Sequence, residues 1–236
     1  MDVTLKLSQR LQKIASYISS GVYFADIGSD HGYLPCYVCL HNKEARAIAG
    51  EVNEGPMMRT EQSVQTYGLT DRVFVRLGDG LEVIQPNENV KEIVIAGMGG
   101  SLISEILENG KDKLIPVNRL ILQPNNHAEI VRKLLSRLQY YLTDEIIFEE
   151  NGHIYEILVA DKHANDPYQK EMEREKQYLF GPLLIQEKSS IFIRKWEEER
   201  TKIKKVIAQM NLANHVDETK RMLYDKKLRW IEEVLG

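Results

Sequence analysis

The sequence predicts an α/β protein: a mostly parallel sheet flanked by helices, closed by an antiparallel hairpin and followed by a separate helical domain. Three observations carry that reading. Five short apolar runs alternate with helix-periodic segments between residues 5 and 138. Two longer strand-like runs, 141–150 and 153–161, are separated only by Asn151-Gly152, a strong short hairpin signal. Beyond Pro167 the strand signals stop and long charged side chains take over.

Taken in order, Leu7, Leu11, Ile14 and Ile18 fall at helical spacing and predict a helix over 5–18. Val22–Ile27 (VYFADI) suits a strand buried on both faces. Gly28 and Gly32 then permit a tight turn, and Pro35 fits a first helical turn, where its missing N–H costs little. That helix runs toward His41. A second strand, Arg46–Gly50, ends at Glu51, and a helix follows over about 55–67. The third strand, Val73–Leu77, leads into Gly78-Asp79-Gly80. The fourth, Glu92–Ala96, ends in Gly97-Met98-Gly99-Gly100 before another helix. Leu120–Leu122 runs into Gln123-Pro124-Asn125-Asn126, and Ala128–Leu138 reads as a helix. Alternation of this kind implies right-handed crossovers between parallel strands. A linker near 163–167 separates a domain over 1–163 from one over 164–236. In the latter, Phe192, Trp196, Ile203, Ile207 and Met210 form one helical stripe. Leu223, Trp230, Ile231 and Val234 form another, which predicts a helical hairpin or small coiled-coil bundle.

Composition narrows the classes of function. The 236 residues, 43% hydrophobic, suffice for one sizeable core and a smaller unit. No run approaches the roughly 18–20 apolar residues of a membrane span, and the amphipathic, charged N-terminus does not read as a signal peptide. Cys36 and Cys39 are the only cysteines, so no disulfide framework is expected. Their C-x-x-C spacing beside His41 lacks a second ligand pair, and packing against the sheet is expected rather than a metal. A cytoplasmic protein follows as the expectation. The net charge is −4, but residues 167–236 hold fifteen Lys and Arg against twelve Asp and Glu, a local +3 against −7 elsewhere. Basic clusters at Arg194-Lys195, Lys202–Lys205 and Lys226-Lys227 could hold phosphates. Interleaved acids at Glu197–Glu199 also allow a plain solvated face.

The segment 26–32, Asp-Ile-Gly-Ser-Asp-His-Gly, carries the most chemistry. A glycine turn leaving a buried strand opens a nucleotide-sized crevice at the carboxyl edge of the sheet. The dinucleotide pattern wants three glycines around a pyrophosphate, whereas here Asp26 and Asp30 flank the turn. Two carboxylates repel a diphosphate and attract a cation. S-adenosylmethionine carries an adenosine, a sulfonium and an ammonium group and no phosphate, so the acidic turn favours it over NAD. Glu51, about nineteen residues past Gly32 and ending an apolar run, suits the ribose hydroxyls. Asp79 between glycines suits an adenine amino group and equally a plain Asp-Gly turn. The glycines at 97, 99 and 100 let a ligand or base lie close to backbone. A hairpin closing a parallel sheet is also a feature of class I methyltransferases, where a dinucleotide-binding sheet would continue parallel.

The strings DIGSDHGYLP at 26–35, IAGEVN at 48–53, GDGL at 78–81, IAGMGG at 95–100 and LQPN at 122–125 together resemble the bacterial tRNA (adenine-N1)-methyltransferases of the TrmK type. Asp30, where methyltransferases in general carry a second glycine, matches that family. The resemblance spans the whole chain. It implies a class I, Rossmann-like methyltransferase sheet with a terminal antiparallel hairpin and a C-terminal helical coiled-coil domain that binds substrate. It also implies methyl transfer from S-adenosylmethionine to N1 of adenine 22 in the tRNA D arm. On these positions it places Gly28 and Gly32 against the methionine end of the donor, Ser29 and Tyr33 among the cofactor-binding residues, and Asp26 and Asp30 favouring its positive charge; His31 touches donor or substrate, or else caps or packs. Glu51 and Val52 fall at the ribose, Asp79 and Gly80 at the adenine. Gly97, Met98 and Gly99 become the wall between donor methyl and target base. Gln123, Asn125 and Asn126 face the incoming adenine, and Arg10 reaches a substrate phosphate or else makes a helix-surface ion pair. An unpaired adenine N1 already has an in-plane lone pair, so alignment is the main demand. A paired target must first be opened or flipped. The methylated adenine is cationic, and a proton can leave N6 afterwards to water or to a nearby carboxylate; Asp30 is the candidate acceptor and Asn125 the positioner. The expected partner is tRNA, with no membrane and no metal, and the chain a monomer or weak dimer. Methylation of another RNA, a protein or a small molecule, and a non-catalytic RNA-binding protein, are the competing classes.

Overall fold

The structure, a computed structural model, describes residues 5–168, 171–212 and 217–236. It divides into two units. One runs to Ile146 and takes in Tyr155–Pro167; the other comprises Ile147–Ile154 and Tyr168–Gly236.

The first unit opens on α1 (Gln9–Tyr17). This helix starts four residues later than its apolar spacing predicts. Ser8 caps it by accepting the Leu11 N–H at 3.2 Å, while Leu5 and Leu7 are buried in the extended segment before it. There follow β1 (Tyr23–Ile27), α2 (Tyr33–His41), β2 (Arg46–Glu51), α3 (Glu54–Thr66) and β3 (Val73–Leu77). A short 3-10 turn, Gly80–Val83, precedes β4 (Glu92–Met98) and α4 (Gly100–Asn109). After a second 3-10 turn, Lys111–Leu114, come β5 (Arg119–Pro124), α5 (Ala128–Arg137) and the hairpin β6 (Tyr141–Glu150) and β7 (His153–Asp161). The strands form one sheet in the order β3-β2-β1-β4-β5-β7-β6. β1 to β5 are parallel, and β7 runs antiparallel to β5. The two-residue turn reads as its sequence predicts, with Asn151 at φ +53° and Gly152 at φ +79°.

Central strands are buried almost throughout, as their continuous apolar runs require. Cys36 and Cys39 are free and fully buried; burial pushes their thiols up to about 12 and about 11, so they pack rather than react. A charged cluster lies beneath the hairpin. Arg132 of α5 is completely buried and donates to Glu145 on β6 at 2.6 Å and to Glu156 on β7 at 2.7 Å. This pairing makes two acids acceptable in the interior.

The second unit contains α6 (Glu171–Phe180), α7 (Leu184–Glu187), α8 (Ser190–Asn211) and α9 (Glu218–Leu235). Its core gathers Phe180, Leu184, Phe192, Trp196, Ile203, Ile231 and Val234. Phe180 and Trp196 rings meet at 4.4 Å between centroids. Ile147 and Ile154, at the tip of the β6–β7 hairpin, pack in this same core. The sequence places a boundary between 163 and 164; the structure divides after Pro167 and groups the hairpin tip with the helices. Lys204–Glu232 and Lys227–Glu199 tie α8 to α9. Leu223, placed on the apolar stripe by spacing, is 63% exposed; Tyr224 and Leu228 pack instead.

Candidate active site

All five parallel strands end along one edge, and the hydrogen-bond ladder continues past their ends. Gly28 N–H donates to the Gly50 carbonyl and Gly78 N–H to that of Glu51, each at 2.9 Å. Asn125 N–H donates to the Met98 carbonyl at 2.7 Å. The loops leaving these strands therefore begin at fixed points around one crevice.

After β1 the backbone turns left-handed four times in five residues: Gly28, Asp30, His31 and Gly32 have φ of +72°, +40°, +68° and +65°. Asp and His rarely adopt this region, so the surroundings must hold them there. They do so through the buried Glu51 carboxylate at the end of β2, whose Oε1 accepts the Asp30 N–H at 2.7 Å. The amides of Gly28 and Ser29 are both spent on the Gly50 carbonyl. A pyrophosphate would need such amides, and here they are taken. Among the described residues the His31 and Gly32 amides bond to nothing, and they stand at the N-terminal end of α2, where an anionic group is favoured. His31 and Tyr33 stack beside them, centroids 5.3 Å apart and planes 9° from parallel.

The electrostatics explain what this turn can hold. Asp26 is 4% exposed and accepts a 2.6 Å hydrogen bond from the Ser29 hydroxyl. Burial pushes its carboxyl up to about 7; Ser29 opposes the rise and the neighbouring Glu51 charge adds to it. Burial raises Glu51 as well, against the bond from the Asp30 amide. Two desolvated carboxylates in mutual repulsion are an arrangement that a cation relieves. Asp30 differs: its side chain is 81% exposed, 3.6 Å from the His31 Nε2.

At the β3 exit, Asp79 is exposed on the rim of a cavity of about 200 Å³ that Gly80, Leu81, Leu102 and Ile106 also line. Gly80 sits at φ +52°. Val52, directly after Glu51, is 63% exposed.

At the β4 exit, a Cβ on Gly28 would come within 2.2 Å of the Met98 methyl, so Met98 covers the glycine turn. Gly97, at φ +77°, has both peptide groups clamped by side chains: its N–H donates to Gln123 Oε1 at 3.1 Å and its carbonyl accepts from Asn125 Nδ2 at 2.7 Å. A Cβ on Gly100 would lie 2.3 Å from the His127 carbonyl oxygen. Of the residues expected to face substrate, Asn125 and Asn126 are exposed, whereas Gln123 is fully buried behind them. Arg10 is half-buried and donates to Gln123 Oε1 at 2.6 Å. His127, at φ +52°, joins the site through its carbonyl against Gly100 without having been singled out, and no local pattern in the sequence marks it.

The strand order, the glycine turn after β1, the acid ending β2 and the reversed last pair define a class I methyltransferase. The family model of tRNA (adenine(22)-N(1))-methyltransferase, TrmK, matches residues 24–233, and the chain belongs to that family. It is 44% identical over 233 residues to the tRNA (adenine(22)-N(1))-methyltransferase of Bacillus subtilis, with 98% of each chain covered. The crystal structure of the B. subtilis tRNA methyltransferase TrmK matches with a TM-score of 0.90 and 42% identity, over 99% of this chain and 100% of that one. The structure of a Streptococcus pneumoniae protein in complex with S-adenosyl-L-methionine matches at 0.85 and 38% identity, over 98% and 100%.

Proposed function

We propose that this chain transfers the methyl group of S-adenosylmethionine to N1 of adenine 22 in tRNA. The observation that carries the reading is the pair of buried carboxylates, Asp26 and Glu51, at adjoining strand ends beneath a glycine turn with two unspent amides. That cradle suits a ligand bearing a cation, a carboxylate and a ribose. Asp26 balances the positive charge, Glu51 takes the ribose hydroxyls beside Val52, and the amides of His31 and Gly32 receive the carboxylate. Ser29 holds Asp26 and Tyr33 closes the stack on His31. Asp79 and Gly80 take the adenine edge. Bound there, the donor would supply an electrophilic methyl, to which the adenine N1 lone pair would bond as the C–S bond breaks and S-adenosylhomocysteine leaves.

The chain's own task is placement, which alone can supply several kcal/mol of the barrier, roughly 7–11 in the best-oriented cases. Gly97, Met98 and Gly99 bring backbone close to the base, and Asn125 and Asn126 present exposed amides beside that wall. Asp30, exposed at the rim, takes the N6 proton and passes it to water. The helical unit supplies the grip on tRNA: Lys202, Lys205, Lys220 and Arg229 are exposed, and none is ion-paired among the described residues. Each chain carries a whole site, so a monomer or weak dimer suffices, and the setting is the cytoplasm.

Incubation of unmodified tRNA with labelled donor, followed by nucleoside mass analysis, tests the reading. It expects 1-methyladenosine at position 22; label elsewhere, with no 1-methyladenosine, overturns it. The rival reading as a non-catalytic RNA-binding protein expects no donor binding by calorimetry.

A further inference from the structure

The substrate wall is held by a chain of side chains that begins outside the sheet. Arg10, on the first turn of α1, donates from Nη1 to Gln123 Oε1 at 2.6 Å. That same oxygen accepts the Gly97 N–H at 3.1 Å. The other end of the Gln123 amide donates to Asn125 Oδ1 at 3.2 Å, and Asn125 Nδ2 donates to the Gly97 carbonyl at 2.7 Å. The circuit closes on a single residue, Gly97, where the β4–β5 register shifts and the backbone is left-handed. A Cβ there would lie 3.1 Å from Arg10 Nη1, a close contact that would press on the guanidinium, and the φ of +77° strains any side chain. The Arg10 guanidinium also lies 5.5 Å from the centroid of the Tyr155 ring on β7.

We propose that Arg10 and Gln123 are positioning residues: a guanidinium-to-amide strut from the N-terminal helix that sets the Gly97–Met98 wall and the Asn125 amide for the target base. The inference rests on the methyl-transfer reading and revises the expectation that both residues touch substrate. Gln123 is completely buried and reaches the base only through Asn125 and Gly97. The charge on Arg10 polarises a buried amide rather than neutralising a phosphate, and a charge-assisted bond of this kind is stronger than a neutral one. Loss of the strut leaves the Gly97 N–H with a freely rotating partner. A wall displaced by about 1 Å is enough to cost about 100-fold in rate.

The test is a double-mutant cycle on steady-state kinetics with unmodified tRNA, using Arg10→Ala, Gln123→Met and the pair, each first titrated with S-adenosylmethionine by calorimetry. We expect kcat to fall roughly 10- to 100-fold in each single variant, and the double variant to fall no more than about threefold further. Donor affinity, KM for tRNA and the salt dependence of KM stay as in the parent. Millimolar ethylguanidinium restores part of kcat to Arg10→Ala and none to Gln123→Met; Arg10→Lys retains more activity than Arg10→Ala. Additive losses, or a raised KM with a shallower salt slope, would make Arg10 a phosphate contact and overturn the strut. Unaltered kcat in Arg10→Ala overturns it too. A parent enzyme that binds donor and makes no 1-methyladenosine sinks the methyl-transfer reading itself, an outcome separate from all of these.

Discussion

The two sides of the crevice are built from different physics. At the β1 and β2 exits the working groups are charges: Asp26 and Glu51, buried, with the strained turn at Asp30 and His31 tethered to one of them. At the β4 and β5 exits the buried groups are neutral amides and glycines, and the only charge in the circuit, Arg10, enters from behind. On the proposed reading the first side takes the donor and acts through affinity, by electrostatics, while the second takes the acceptor base and acts through rate, by shape. Substitutions on the two sides therefore separate in binding and kinetic assays.

Asp26→Asn gives the largest effect. Removing one of two buried charges that meet a cation costs about 3–5 kcal/mol, so donor affinity falls at least about 100-fold by calorimetry. The same change relieves a folding penalty. Between about pH 4 and 7 the folded carboxyl holds a proton that the unfolded chain has released, so stability falls as pH rises through that window. Asp26→Asn therefore melts higher than the parent at pH 8, with a flatter pH dependence. An unchanged donor affinity would remove Asp26 from the site.

Gly100→Ala breaks the other side. Its Cβ would meet the carbonyl oxygens of His127 and Asn126 at 2.3 and 2.8 Å, and backbone cannot yield as a flexible side chain does. We expect kcat to fall about 100-fold from a displaced wall, with donor affinity within about threefold of the parent. Loss of donor binding in this variant would show the two sides to be one cooperative unit.

The acidic glycine turn and the acid that ends β2 were legible in the sequence because their parts are local. Asp26, Gly28, Asp30 and Gly32 lie within seven residues, and Glu51 ends the next apolar run. The hairpin was legible through Asn151-Gly152 between two strand-like runs. What escaped depends on contacts between distant positions. Gln123 reads as an exposed residue at a strand end, yet it is buried because Arg10, 113 residues earlier, meets it. The burial of Glu145 and Glu156 likewise goes with Arg132, a partner on another element that pairs with both. Spacing also misplaced Leu223, because α9 turns Tyr224 and Leu228 to the core instead. Local patterns carry conformation and charge; burial of polar groups is decided by partners that no pattern contains.

The pH dependence of donor binding sharpens the contrast with a smaller effect. A cation favours ionised Asp26, whose carboxyl in the free protein stands at about 7. Binding below that pH must expel its proton. Donor affinity is then flat above about pH 8 and about tenfold weaker at pH 6, with up to one proton released per donor bound. Calorimetry at pH 6 in two buffers of different ionisation enthalpy reads the proton directly. Equal apparent enthalpies would place the cation elsewhere.

Asp30→Asn gives the smallest effect and separates its two roles. The backbone amide that ties the turn to Glu51 is kept, and Asn tolerates the left-handed region at least as well as Asp. Only the exposed carboxylate is lost. Water reaches the same rim, so a proton from N6 has another acceptor, and kcat should fall only about two- to fivefold, well below the roughly 100-fold or more that an obligatory general base supplies. Asp30→Ala should lose about 1–2 kcal/mol of stability as well, since alanine pays the full steric cost at φ +40°. A loss of 100-fold or more in Asp30→Asn, with donor affinity intact, would make this carboxylate an obligatory base and bring charge to the acceptor side after all.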